Sequence, residues 1–281
     1  MTRIMISALS GLAMTWAVAC DKSSRDAGAF TSAGVTHLQQ GQYDRAIRDF
    51  DRALAIRPGM VVAWRNRGLA HRNKGDFERA IADYDQAILL APGDARLFTD
   101  RGLAYLAMSD DSHAIQDFDR AVALKPDLAP ALEHRGRAHF LAGNLAQAAA
   151  DLQRGLSFDS TNASVVLWLH LARARLKQDD ASDFAAHAAS ADTTQWPMPV
   201  VRYFLGTLSA DQLRALAAAA PLDAASEERC DVPFFLAEDA LLRRKEAQAK
   251  TLLAETRSAC PRDVIEHKVA IAEQQRLAAA R

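Results

Sequence analysis

Between Ala27 and Asn162, small, apolar and polar positions recur with a period of 34 residues. Gly34, Gly68, Gly102 and Gly136 share one position of the register, and Ala46, Ala80, Ala114 and Ala148 share another. An aromatic or Leu follows at Phe50, Tyr84, Phe118 and Leu152, then a small residue at Ala53, Ala87, Ala121 and Gly155. Pro58, Pro92 and Pro126 close the first three units. Each unit reads as two antiparallel helices. The small residues let helix backbones approach, the aromatics fill the space beside them, and proline blocks continuation and forces a turn. Gly41, Gly75 and Gly143 stand where a first helix ends, as a left-handed C-terminal cap needs. One unit cannot bury its own apolar face, but stacked units can.

A 34-residue period with this spacing resembles the tetratricopeptide repeat. The resemblance implies an all-α fold, a right-handed superhelical solenoid of helical hairpins with a concave surface. The register gives four repeats, at 27–60, 61–94, 95–128 and 129–162. Residues 163–192 read as a degenerate fifth hairpin: Ala163 to Lys177 keeps Trp168 and Leu171, whereas Asp180 to Ala191 has lost the pattern. Residues 193–229 carry Trp196-Pro197-Met198-Pro199, a break or turn, and then short helices over Val200 to Gly206 and Ser209 to Ala220. Ser209 with Gln212 forms a capping box. Residues 230–281 hide a further hairpin, Cys230 to Pro261, because counting from Cys230 puts Ala249, Leu253 and Pro261 on repeat positions. Asp263 to Ala280 then supplies a terminal helix that caps the open end.

The first 19 residues read as an export signal. Arg3 is followed by an uncharged, mostly apolar run from Ile4 to Ala19, too short for the roughly 20 residues of a spanning helix. The run ends Ala17-Val18-Ala19-Cys20, which resembles a bacterial lipobox, although Ala17 replaces the usual Leu. Cys20 is the expected lipidation site, acylated and mature N-terminal, with 20–26 as linker. The alternative is an ordinary signal peptide with an incidental cysteine. Asp21, second in the mature chain, resembles an inner-membrane retention signal, leaving inner and outer membrane both open.

Composition narrows the function. The apolar fraction of 49% suffices for a continuous core. The formal charge is -1, or -2 once Arg3 is removed with the signal, so no basic field favours nucleic acid. Cys230 and Cys260 occupy positions 1 and 31 of one hairpin, whose antiparallel helices bring those ends together. In the oxidising periplasm they are the expected disulfide, against two free thiols. Nucleophile elbows, metalloprotease helices, phosphate loops and spaced metal ligands are missing from the sequence, so no catalytic residue, metal or cofactor is assigned. His37, His71 and His139 share position 11, where the family usually has Tyr, and read as filling an aromatic slot.

Two sets of polar positions invite a role. Arg67, Arg101 and Arg135 at position 7 recur with Asp49, Asp83 and Asp117, and read as an ion-pair ladder between helices or as sites for an anionic ligand. Groove-lining positions of the family place Arg65, Leu69, Arg72, Asn73, Arg96, Leu103, Leu106, Arg137 and Phe140 on the concave face. That mixed surface suits a peptide with some acidic character. Thr31 and Val35 stand where the family's co-chaperones carry their carboxylate-clamping Lys and Asn, which disfavours that mode even though Asn66 fits it.

Taken together, the lipobox, the repeats, Trp196-Pro197, the run Arg202-Tyr203-Phe204-Leu205-Gly206, and Cys230 with Cys260-Pro261 resemble the NlpI-like tetratricopeptide lipoproteins of Gram-negative bacteria. The resemblance implies a non-enzymatic, dimeric envelope adaptor. It implies as partners a periplasmic PDZ-containing protease and peptidoglycan hydrolases. A soluble periplasmic or secretion-system chaperone, and an envelope hydrolase whose site shows no motif, are the competing readings.

Overall fold

The computed structural model describes residues 25–190, 196–219 and 225–279; the signal, Cys20 and the linker to residue 24 lie outside them. The described residues form fifteen α-helices and no strand, an all-α fold. The first helix, α1, spans residues 25–39. It is followed by α2 (Tyr43–Ile56), α3 (Val61–Lys74), α4 (Phe77–Leu90), α5 (Ala95–Ala107), α6 (Asp111–Leu124), α7 (Ala129–Leu141) and α8 (Leu145–Phe158). The rest are α9 (Ala163–Arg175), α10 (Ala181–Ser190), α11 (Met198–Phe204), α12 (Ala210–Ala219), α13 (Ala225–Leu242), α14 (Glu246–Ala259) and α15 (Ile265–Ala279). None of the described helices is long and apolar enough to cross a membrane.

The periodic residues do what their types demand. A Cβ on Gly68 would lie 2.8 Å from the Tyr84 ring, and one on Gly34 2.6 Å from Phe50, so only glycine allows these contacts. The turn that follows each first helix carries a left-handed residue at position 15. It is Gly41, Gly75 and Gly143 in three repeats, but Ser109, Lys177 and Arg244 elsewhere, with φ of 64°, 58° and 57°. Counted from Cys230, Arg244 is also position 15. Ser209 and Gln212 exchange hydrogen bonds at the start of α12, the Ser209 amide donating to Oε1 at 2.9 Å and the Gln212 amide to Oγ at 3.2 Å.

The described residues divide into two compact units, the division falling within α5 after Ala104. In the first, Ala46, Phe50, Ala53, Leu54, Ala63 and Ala70 form one core cluster, and Ala80, Tyr84 and Ala104 another. In the second, one large core cluster joins residues from Phe140 to Ala270. Trp168 on α9 is fully buried and meets Phe140 of α7 edge-on at 5.1 Å and Phe234 of α13 at 5.3 Å. The terminal helix α15 packs on α14 and reaches back onto α7 and α13. A buried ion cluster ties three of these helices. Arg175 of α9 pairs with Glu238 of α13 at 2.5 Å and with Glu273 of α15 at 2.5 Å, and Arg276 also bonds Glu273. Burial holds the Glu238 pKa above the usual carboxylate range despite Arg175; burial also opposes the charge of Arg175, but the two carboxylates more than offset this and raise the Arg175 pKa.

Helix α13 begins at Ala225, ahead of the register start at Cys230, and continues through Pro233. Cys230 and Cys260 are joined by a disulfide with their Cα atoms 4.6 Å apart. Among the described residues, Cys230, Asp231 and Glu266 lie close enough to hold a metal ion, but the Cys230 sulfur is committed to the disulfide.

Candidate partner-binding face

Position 7 is structural. Arg67 grips Asp83 with a two-bond fork, Nε to Oδ2 at 2.9 Å and Nη2 to Oδ1 at 2.7 Å, and its remaining Nη1 donates to Asp51 at 2.6 Å. Arg135 repeats this in the second unit with Asp151 at 2.7 and 2.6 Å and Asp119 at 2.8 Å. Each arginine therefore binds position 23 of its own repeat and position 25 of the one before. Asp83 and Asp151 are buried, so the fork supplies the hydrogen bonds that a carboxylate out of water requires. The second contact falls on the periodic Asp51, Asp85 and Asp119, all at position 25, a spacing the sequence also displays. The first repeat differs: position 7 is Ala33, and Asp49 is held by His37 Nδ1 at 2.7 Å. His139, at the same position as His37, is half-buried, and burial lowers its pKa below that of a free imidazole.

The candidate groove residues fall in two sets. In the first unit, α3 presents Arg65, Leu69, Arg72 and Asn73, and α5 presents Arg96 and Leu103. Leu69 and Leu103 are half-buried and Asn73 is exposed. Arg65 is engaged: its Nε donates to Asp100 of α5 at 2.6 Å, tying the two groove helices. Arg96 is also held, by Asp94 at 2.8 Å, and that bond keeps the Asp94 carboxyl below the usual range. Arg72 is half-buried and has no hydrogen bond or ion pair among the described residues. It is the guanidinium left to meet an incoming group.

In the second unit the same positions are closed. Phe140 is fully buried against Trp168 and under Arg175, whose guanidinium carbon lies 4.7 Å from the ring centre. Leu106 is 7% exposed. Arg137 pairs with Glu133 at 3.2 Å, bonds Ser164, and stands over the Trp168 ring at 5.3 Å. Leu106, Arg137 and Phe140 thus do not line an open surface; around α7, the packing of α9 and α15 takes up the positions at which repeat proteins of this kind receive ligands. The 34-residue period does not display this, because the cover of Phe140 comes from Trp168 and Arg175, outside the four regular repeats.

Comparison with known proteins agrees with the fold. Family models described as tetratricopeptide repeat match residues 31–95 and 70–132. No curated protein matches the chain. A structure titled as the functional characterisation of Pseudomonas aeruginosa pilF superposes with a TM-score of 0.56 at 16% identity, over 91% of this chain and 99% of that one. MamA from Desulfovibrio magneticus RS-1, residues 41 to the end, gives 0.50 at 20% identity over 58% of this chain and 92% of that one. At these identities the likeness is one of fold.

Proposed function

We propose that this chain is a non-enzymatic adaptor of the Gram-negative cell envelope, anchored through a lipid on Cys20, that captures a protein segment on the face formed by α3 and α5. Tetratricopeptide repeats serve as protein-binding scaffolds, and the one observation that carries the reading here is the contrast between the two units. The fourth repeat's face is filled by its own chain. In the first unit Leu69, Leu103, Arg72 and Asn73 remain accessible on helices joined by the Arg65–Asp100 pair. The half-buried leucines can bury apolar side chains of a partner, and Arg72 can fork onto a carboxylate. The Cys at the end of an apolar leader supports the anchor. The likeness to NlpI-type lipoproteins makes a periplasmic PDZ protease and peptidoglycan hydrolases the first partners to test.

The test is site-specific photocrosslinking in the native envelope. A crosslinker at position 69 or 103 yields discrete adducts identified by mass spectrometry, while one at Ala82 or Gln86, exposed on α4, does not. Adducts only from the α4 positions would reject the face.

A further inference from the structure

Helix α2 carries three acids and three arginines, and the structure treats them unequally. The acids are committed elsewhere: Asp44 to Lys74 at 2.8 Å, Asp49 to His37 at 2.7 Å, and Asp51 to Arg67 at 2.6 Å. The arginines are less fully paired in return. Arg45 bonds only the uncharged Gln42, at 2.8 Å. Arg48 has no hydrogen bond or ion pair among the described residues. Arg52 reaches Asp49 with one nitrogen at 3.4 Å and lies over the Phe30 ring at 5.6 Å. Arg45, Arg48 and Arg52 are three and four residues apart, so they share one helix face, and all three are exposed. With His37 and Asp49 they line a shallow pocket of about 280 Å³.

We propose that this face of α2 docks on the phosphate headgroups of an anionic membrane surface. Three exposed guanidinium groups with spare donors suit phosphodiesters, to which arginine bonds in pairs. The choice of a membrane over a free anion comes from the chain's own length. The proposal rests on the reading that Cys20 carries the lipid. From Cys20 to residue 25, where α1 is already helical, the chain can span at most about 17 Å. Phe30, which Arg52 covers, lies about 7 Å further along α1. The basic face is therefore tethered within a short distance of the bilayer that would hold the acyl chains. A single weak attachment gains from a second one on the same surface.

Vesicle flotation of the chain beginning at residue 20 with Cys20→Ser tests this without any lipid on the protein. The probes are phosphatidylcholine vesicles with and without phosphatidylglycerol. Binding is expected only when phosphatidylglycerol is present, and it falls as salt is added. Arg45→Gln/Arg48→Gln/Arg52→Gln should weaken it roughly tenfold or more. Arg45→Gln/Arg48→Gln, which leaves the contact of Arg52 with Phe30 in place, should give a smaller loss with an unchanged circular dichroism melt. Equal binding by the triple variant, equal binding to pure phosphatidylcholine, or no binding to either overturns the proposal. Saturable binding of inorganic phosphate without vesicle binding overturns it too, in favour of a free anion. Fractionation of cells carrying Cys20→Ser reads the lipid anchor separately, so either idea can fail alone.

Discussion

Arg67 and Asp83, sixteen residues apart on α3 and α4, face each other as fork and carboxylate at 2.7 and 2.9 Å, and the same geometry returns at Arg135 and Asp151. Removing the arginine leaves a buried carboxylate without its donors. Arg67→Ala should lower stability by about 2–3 kcal/mol. Arg67→Lys should recover only part, because an ammonium cannot make the fork. Urea unfolding of the three proteins gives the comparison; an alanine variant as stable as the parent would make the ladder ornamental.

The left-handed turn position offers a stabilising change. Ser109, Lys177 and Arg244 occupy a conformation that glycine fills in three other repeats. Ser109→Gly, Lys177→Gly and Arg244→Gly should each raise stability by about 0.5–1 kcal/mol, the steric relief exceeding the entropy glycine adds to the unfolded chain. Gly75→Ala should lower it by about 1 kcal/mol. Thermal melts of the single variants check the sign at each site.

Burial depresses the His139 pKa from the ordinary 6.5. The folded state then binds the proton less readily than the unfolded state. The stabilising contribution is full above about 6.5 and is lost as pH falls from there through the folded value. His139→Tyr, which places at this site the residue found at Tyr105, should flatten part of the decline in melting temperature between neutral and mildly acidic pH. Parallel pH profiles for parent and variant would contradict this assignment.

The disulfide closes a loop of 30 residues in sequence separation. Constraint of the unfolded chain should contribute about 3–4 kcal/mol. Cys230→Ser/Cys260→Ser, or reduction under native conditions, should lower the denaturation midpoint accordingly. An unchanged midpoint after verified reduction would show that the α13–α14 hairpin and α15 hold without it.

The repeats were legible because their physics is local and periodic. Gly68 beside Tyr84 and the cap at Gly75 each follow from steric facts, the first glycine recurring in four repeats and the second in three. Beyond residue 162 the chain was legible as helices and as the Cys230–Cys260 pair, but not as a core. Arg175 meets Glu238 and Glu273 at sequence separations of 63 and 98 residues, and no period links them. The same long-range packing buries Phe140, so a position that lines a groove in a regular array becomes core here. Arg65 shows a subtler limit. Its register position faces the groove, but Asp100 stands one repeat away and engages it. Arg65→Glu would therefore break a tie between α3 and α5, which makes Arg72 the cleaner probe of binding.

The central claim is that partners are captured on the open face of the first unit. It is tested most directly by the affinity of a partner identified by crosslinking for the parent and for Leu69→Asp/Arg72→Glu, alongside their thermal melts. Both side chains are partly exposed, so the melts should stay close, while affinity should fall roughly tenfold or more through lost burial and charge repulsion. An unchanged affinity with an unchanged melt would contradict the account and move the binding surface off α3 and α5.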